Sequence, residues 1–420
     1  MKSNHRSIVI FIVITVLIDT AGVGIILPVL PKLLTNMSHA DMGTAARYGG
    51  WLTFVYALMQ FVFAPVLGNL SDAYGRRPVL LCSLLGFSLD YIFLAFAPSF
   101  FWFFIGRTIS GITGASYVVG STYMADISSG EERTKNFGWL NAAMGIGFIL
   151  GPAIGGLLAQ FGLHAPFIAA AALSSLNLIL GYFVLPESLA LENRRPFDWK
   201  KANPLGAIKY LRNFKGAAVL IASLLFLSFA SHSMETIWTF FTTEKFHWRS
   251  SLTGLSLACM GGLFIVVQGW LVGFSLKALK EKGTAYVGLF FTFLAYLSFA
   301  LTPWQWGLFA ALVIFAIGTI GETALQGILS NSAPANEQGE LQGSFSCLKG
   351  LVTIIAPLAF ANIFATFSHQ GQGNYFPGMP FLLAAATVLI SLLLFIKADQ
   401  KYSPEDDPRV ENKEEISSSV

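Results

Sequence analysis

The chain has 420 residues, of which 54% are hydrophobic and 12% charged, with a mean hydropathy of +0.63. Soluble domains carry about 25% charged residues, so a chain this long with 38 Phe has too few polar side chains to cover an aqueous surface, and a soluble fold is excluded. The net charge of +3 is small; its placement matters more than its size, and no nucleic-acid partner is expected.

A membrane helix needs about 20 apolar residues. Twelve apolar runs meet that length, at about 8–30, 49–70, 79–97, 101–123, 137–160, 166–186, 216–242, 253–275, 284–302, 305–330, 343–368 and 378–396. The first is too long for the apolar part of a cleavable leader and has no clear small-residue cleavage site, so it reads as a span. Most connections are short. The exception is the polar, basic stretch 188–215, with Pro196 and Pro204, which divides the chain into two groups of six at 1–187 and 216–397. The tail 398–420 carries Glu405-Asp406-Asp407 and is expected to be cytoplasmic and disordered. Cys82, Cys259 and Cys347 lie within apolar runs without metal or disulfide spacing, so they read as small packing residues, and no metal or cofactor is expected.

Between spans two and three lie only twelve residues, Gly68-Asn69-Leu70-Ser71-Asp72-Ala73-Tyr74-Gly75-Arg76-Arg77-Pro78-Val79. A turn this short must reverse the chain at the bilayer surface. Two glycines serve its tight backbone, and Pro78 opens the next helix. Asp72 can pair with Arg76 and Arg77 across the turn, forming a latch. Basic residues divide roughly 20 to 4 between the two sides of the membrane, with this turn on the rich side, which places both termini in the cytoplasm.

Several polar residues fall inside spans. Asp19 lies midway along span one; a carboxylate there is either neutral or paired, because desolvation disfavours its charged form. Arg107 in span four costs about 2.5–3.5 kcal/mol at a helix centre, so it should face the interior and find an acceptor, with Gly111 leaving room for it; the alternative is an arginine reaching to the membrane surface. Asp90 in span three and Gln60 in span two are candidates for the substrate cavity, with a structural role for Asp90 and plain helix–helix hydrogen bonding for Gln60 as the alternatives. Gly147, Gly151 and Gly155 share one helical face, small residues let helices approach, and Pro152 bends the helix. That combination reads as a hinge or seal between the halves, or as ordinary packing.

In the second group of six, His232 and Glu235 are three residues apart and share a face of span seven. Glu322 sits in span ten, four residues before Gln326, and Lys349 opens span eleven. An unpaired charge there is costly, so Lys349 should pair with Glu235 or with Glu322; the sequence leaves the partner open. Trp238, with Phe240, Phe241 and Trp270, is a candidate wall of a cavity for a flat amphipathic ligand, or else membrane packing.

Six-plus-six spans around a basic central loop resemble the major facilitator superfamily. The Gly68–Val79 turn is similar to that superfamily's signature between spans two and three. Asp19-Thr20-Ala21-Gly22-Val23-Gly24-Ile25-Ile26-Leu27-Pro28-Val29-Leu30-Pro31 resembles the first-span motif of drug/proton antiporters, Gly106-Arg107-Thr108-Ile109-Ser110-Gly111-Ile112-Thr113-Gly114 their fourth-span motif, and Gly147-Phe148-Ile149-Leu150-Gly151-Pro152-Ala153-Ile154-Gly155-Gly156 their fifth. With Tyr56-Ala57-Leu58-Met59-Gln60 and Ser88-Leu89-Asp90-Tyr91, the first half resembles tetracycline/proton antiporters.

The resemblance implies an all-α polytopic membrane protein with twelve transmembrane helices in two pseudo-symmetric six-helix bundles and a midplane site. It implies proton-coupled export of small amphipathic compounds by alternating access, in a bacterial inner membrane, by a protein that is not an enzyme and works as a monomer. The resemblance assigns proton coupling to Asp19 and Arg107; the charges of the second half add Glu235 and Glu322 as its acids; Gln60, Asp90, His232, Trp238 and Gln326 fall to the cavity; Gly68, Asp72, Gly75, Arg76 and Arg77 to the latch. The alternative cargo is an endogenous metabolite or siderophore. The pattern breaks where tetracycline exporters carry a span-eight histidine and a span-nine acid: here Gly262-Leu263-Phe264-Ile265 and Gly288-Leu289-Phe290-Phe291-Thr292-Phe293 have neither.

Overall fold

The computed structural model describes residues 2–114, 116–199, 217–332, 337–369 and 373–401. The expectations for the rest of the central loop and for the tail beyond residue 401 lie outside the described residues.

Among the described residues, ten helices are long and apolar enough to cross a membrane, and two features turn ten into twelve spans. The continuous run Ser250–Leu301 is interrupted at Lys280, whose φ of 59° and ψ of 179° are not helical, so it holds spans eight and nine. Span four is broken into Phe100–Thr113 and Ser116–Ile127, each too short to be counted alone. The remaining spans are Lys2–Ile26, Met42–Tyr74, Arg76–Phe96, Gly130–Leu158, Ala165–Val184, Ala218–Phe246, Gln305–Gly318 with Ile320–Asn331, Gln338–Phe367 and Met379–Lys401. This is the expected all-α, twelve-helix architecture in two bundles.

Three local breaks differ from the even runs in the sequence. Span one stops at Ile26 rather than near residue 30, because Pro28 has no N–H to continue the ladder and Pro31 opens a separate short helix, Leu30–Ser38. Span ten breaks at Thr319 between its two segments. Span eight carries a π-helical turn at Val267–Leu271, where the side chain of Gln268 exchanges hydrogen bonds with Thr319 and Thr323 of span ten.

The two halves meet at the end of the bundle opposite the Gly68–Val79 turn. There the contacts are close enough to require glycine. A Cβ on Gly254 of span eight would lie 2.3 Å from the Pro152 carbonyl oxygen of span five, and one on Gly156 would lie 2.7 Å from the Ser250 carbonyl oxygen. Gly50 of span two faces Ala361 and Pro357 of span eleven in the same way. A contact between His369 Nδ1 and Asp41 Oδ2, at 2.6 Å and an ion pair when the histidine carries a proton, joins the same two ends. Toward the turn, the Cβ positions of Gly68, Gly145 and Gly343 face open space. The halves are sealed against each other at one end, and the mid-span side chains of Glu235, Lys349 and Glu322 stay exposed, which marks a cleft open toward the other.

Of the two readings of the span-five glycine ladder, its contacts are those of helix packing within one half. Gly147, Gly151 and Gly155 face span one of the same half, against Thr20, Ala21 and Ile25. One helical register away, Ile149, Pro152 and Gly156 meet span eight. The ladder therefore fixes the interior of the first half, and the face beside it makes the seal.

Candidate functional site

Arg107 finds its acceptor in Asp90. Its Nη2 donates to Asp90 Oδ2, and the guanidinium lies 5.8 Å from the Tyr56 ring centroid, within cation–π range. The Asp90 side chain is wholly buried and that of Arg107 is 15% exposed. Asp90 is thus committed to Arg107 and does not line a substrate cavity, a correction to the sequence expectation. The room for the pair comes from Gly106, where a Cβ would lie 2.7 Å from Asp90 Oδ1; Gly111 instead admits Met59 and the Tyr56 backbone of span two.

Asp19 stands in the opposite condition. Both carboxyl oxygens are buried and make no well-formed hydrogen bond; the Ser116 hydroxyl is the polar group beside them, and no ion pair to Asp19 is found among the described residues. Three residues on, Gly22 makes way for Tyr91, whose hydroxyl oxygen would lie 2.3 Å from a Cβ there. Asp19, Asp90 and Arg107 all act electrostatically on Tyr56 and Tyr91, so these three charged residues from the spans of the first half belong to one cluster. Gln60 borders it: its Nε2 donates to the Gly114 carbonyl at 2.9 Å and to Tyr56 Oη at 3.3 Å. That bond satisfies a carbonyl freed by the break in span four.

In the second half, Lys349 Nζ lies 2.9 Å from Glu322 Oε1, with side chains 39% and 31% exposed. Gln326 Nε2 donates to the same oxygen at 3.1 Å. The partner left open by the sequence is therefore Glu322. Glu235 instead takes His232, with Oε2 at 2.9 Å from Nδ1. The Glu235 side chain is 70% exposed although it lies mid-helix, so water reaches it from the cleft. Thr353, unnoticed in the sequence, completes the group from span eleven, with its hydroxyl 3.1 Å from His232 Nε2.

Trp238 is corrected as well. It is fully buried, its Nε1–H donates to Ser256 Oγ at 2.9 Å, and its ring packs edge-on against Phe299 and Phe381. It fills the core of the second half. The span-nine stretch that lacks an acid has no room for one at Gly288: a Cβ there would lie 2.2 Å from the Gly321 backbone nitrogen.

At the Gly68–Val79 turn, Arg76 is the hub. Nη1 donates to Asp72 Oδ1 at 2.5 Å and Ser71 Oγ at 2.6 Å, and Nε to Asp126 Oδ2 at 3.1 Å. Glu187, just past span six, accepts the backbone N–H groups of Arg76 and Arg77 at 2.8 and 3.2 Å, capping span three at its positive end. Gly75, at φ 109°, is pressed against that carboxylate in a backbone region open to glycine. Arg77 Nη2 donates to the Tyr182 carbonyl at 2.8 Å. Nothing packs within 4 Å of the Gly68 Cβ position. Asp126 and Glu187 were missed in the sequence; the available signal was that both are acids at the same membrane surface as Arg76.

The sequence pattern of the Major Facilitator Superfamily matches residues 12–357. The chain belongs to the major facilitator superfamily. Within it, the chain falls in the drug/proton antiporter branch. It is 39% identical over 392 residues to the class C tetracycline resistance protein of Escherichia coli, covering 93% of this chain and 96% of that one. It is 38% identical over 395 residues to the class H tetracycline resistance protein of Pasteurella multocida, covering 93% and 95%. A bacterial homologue of the human lysosomal transporter Spinster, solved inward-facing and unoccupied, shares the superfamily fold with a TM-score of 0.75 at 14% identity, over 96% of this chain and 98% of that one.

Proposed function

We propose that this major facilitator protein exports a small, flat, amphipathic, tetracycline-like compound in exchange for protons, by alternating access in a bacterial inner membrane. The tetracycline resistance relatives support drug export over the metabolite or siderophore alternative. The carrying observation is Asp19: a buried carboxyl group with the Ser116 hydroxyl as a neighbour and no charged partner, beside the Arg107–Asp90 ion pair. Burying an ionised carboxylate without a charged partner costs several kcal/mol, so sealing Asp19 away from water favours its neutral acid. A group that must be neutral when sealed and can ionise when wetted is what proton exchange needs.

The positive-inside rule puts the Gly68–Val79 turn in the cytoplasm. The closed end of the bundle then faces outward, and the cleft faces inward, ready for cytoplasmic cargo. The latch of Arg76 with Asp72 and Asp126 lies on the cytoplasmic face, where it fixes the ends of spans two, three and four relative to one another. In the second half, Lys349 with Glu322 and His232 with Glu235 stand at the cleft in place of the span-eight histidine and span-nine acid of tetracycline exporters. A single chain holds both bundles, so a monomer suffices.

The test is proton release from detergent-solubilised protein on adding tetracycline, for the wild type and Asp19→Asn. Release from the wild type that disappears in Asp19→Asn, with the compound still bound, supports the reading. Equal release from both removes Asp19 from the cycle.

A further inference from the structure

We propose that Glu235 is a specificity-determining residue for the cargo: its carboxylate is the counter-ion of a protonated amine, so the compound carried is an amphipathic ammonium. This rests on the export reading above and adds to it the charge of the cargo and the residue that reads it.

Glu235 has an unusual place for an acid. It lies in the middle of span seven, Ala218–Phe246, five residues before Phe240. An α-helix rises 1.5 Å per residue, so the two are about 7.5 Å apart along the axis. Phe240 belongs to the seal: it is buried, and a Cβ on Gly49 of span two would lie 2.8 Å from its Cζ. The Glu235 side chain, by contrast, is 70% exposed. Exposure therefore rises steeply within about one and a half turns, and Glu235 stands at the inner end of the cleft, just below the seal. Cargo entering from the cytoplasm meets this carboxylate where the cleft ends.

The carboxylate is held at one oxygen and open at the other. Oε2 lies 2.9 Å from His232 Nδ1, and the far nitrogen of the same ring, Nε2, lies 3.1 Å from Thr353 Oγ1 of span eleven. A ring engaged at both nitrogens cannot turn without losing a contact, so it fixes the Glu235 side chain whichever nitrogen carries the hydrogen. That contact is the hydrogen bond Glu235 makes among the described residues, which leaves Oε1 to the cleft.

The charges around Glu235 leave it as the acid in excess. Arg107 is matched by Asp90, and Lys349 by Glu322, whose Oε1 also accepts from Gln326. Lys349 acts on Glu235 electrostatically, but its Nζ is held 2.9 Å from the Glu322 oxygen. Among the described residues, no lysine or arginine lies within ion-pair distance of Glu235. A carboxylate reached by water is ionised at neutral pH, so an anionic cargo is repelled here and a neutral one gains nothing from Oε1. A protonated amine brings N–H donors and positive charge together, and hydrogen bonds between charged groups are shorter and stronger than neutral ones. The same match acts again when the cleft closes. Closing over Glu235 alone takes a carboxylate out of water without a cationic partner, which is costly; closing over an ammonium buries a matched pair.

The test compares tetracycline with its 4-dedimethylamino derivative, which keeps the fused-ring body and lacks the amine. Both are titrated into the protein in lipid nanodiscs at neutral pH, and the two dissociation constants are measured. The wild type should bind tetracycline about tenfold more tightly than the derivative, a difference of about 1.4 kcal/mol. Glu235→Gln, which keeps the size of the side chain and removes its charge, should bind the two compounds alike, and its binding of the derivative shows that it is folded. Glu235→Asp keeps the charge and should keep a preference for the amine. A wild type that binds both compounds alike, or neither, overturns the proposal without recourse to any variant, as does a Glu235→Gln preference equal to that of the wild type. The export reading fails separately: wild-type vesicles that do not move tetracycline under an imposed pH gradient sink that reading, whatever the two dissociation constants show.

Discussion

Glu322 Oε1 receives two donors at once, Lys349 Nζ at 2.9 Å and Gln326 Nε2 at 3.1 Å, so one oxygen ties span eleven to span ten. Both charged side chains are about a third exposed to the cleft, and a wet pair of this kind is worth roughly 0.2–1 kcal/mol. Glu322→Gln should therefore leave the fold nearly intact, lowering the melting temperature in detergent by a few degrees at most. Export should fall much further, because an uncompensated Lys349 then stands beside the His232–Glu235 pair. Vesicle transport with an imposed pH gradient reads the effect; wild-type exchange from Glu322→Gln would remove this acid from the transport cycle.

The Arg107–Asp90 pair should behave in the opposite way. Here the carboxylate is wholly buried, and removing one partner of such a pair costs about 3–5 kcal/mol because the other charge is stranded. Asp90→Asn is expected to lower stability by that order, with loss of folded protein on heating in detergent. The double variant Asp90→Asn with Arg107→Gln strands no charge and should recover most of the stability but not export. A double variant no more stable than Asp90→Asn would show that the cost lies in lost packing rather than in charge.

The contrast between these pairs marks what the sequence could tell. Hydropathy showed twelve spans because twenty apolar residues can do little else in a chain of this composition. The interruptions of spans four and ten did not show, since Gly114 and Thr319 break helices without a proline. The cost of a buried arginine predicted that Arg107 has an acceptor, but only the fold brings Asp90 to it. Helical periodicity placed Gly147, Gly151 and Gly155 on one face without saying which neighbour that face meets. Trp238 looked like a cavity wall because aromatic content is visible in sequence, whereas the register that turns it inward to Ser256 is not.

That difference in register separates two glycine substitutions. A Cβ on Gly155 would lie 2.0 Å from the Ile25 carbonyl oxygen within the first half, so Gly155→Val should prevent the half from packing and reduce folded yield. A Cβ on Gly254 would lie 2.3 Å from the Pro152 carbonyl oxygen across the seal. Gly254→Val can relieve that clash by separating the halves, so it should fold and favour the state opened at this end. Spin-label distances across the sealed end test it: a wider distribution in Gly254→Val is expected, and a distribution equal to the wild type would place the seal elsewhere.

The ion pair of Asp41 with His369 gives the sealed end a defined response to acid. Burial pushes the Asp41 carboxyl up, but hydrogen bonds from the Thr44 hydroxyl and N–H and the charge of His369 outweigh it, so the group lies below its ordinary value. A carboxyl lowered in the sealed state stabilises that state above the free value, and the contribution is lost only as pH falls through the lowered one. Acidification into the range near 3.9, where a free Asp titrates, should thus begin to weaken the seal without abolishing it. Both side chains are more than a third exposed or close to it, so the pair is worth at most about 1 kcal/mol, or roughly a fivefold change in the ratio of closed to open. Asp41→Asn keeps a side-chain oxygen able to cap span two and removes the charge, so stability should hold while the open fraction rises by up to that factor. The same spin-label distances followed against pH decide the matter: an open fraction that already climbs about two units above the ordinary carboxylate value, and equally in Asp41→Asn, would show that some other group titrates at the seal.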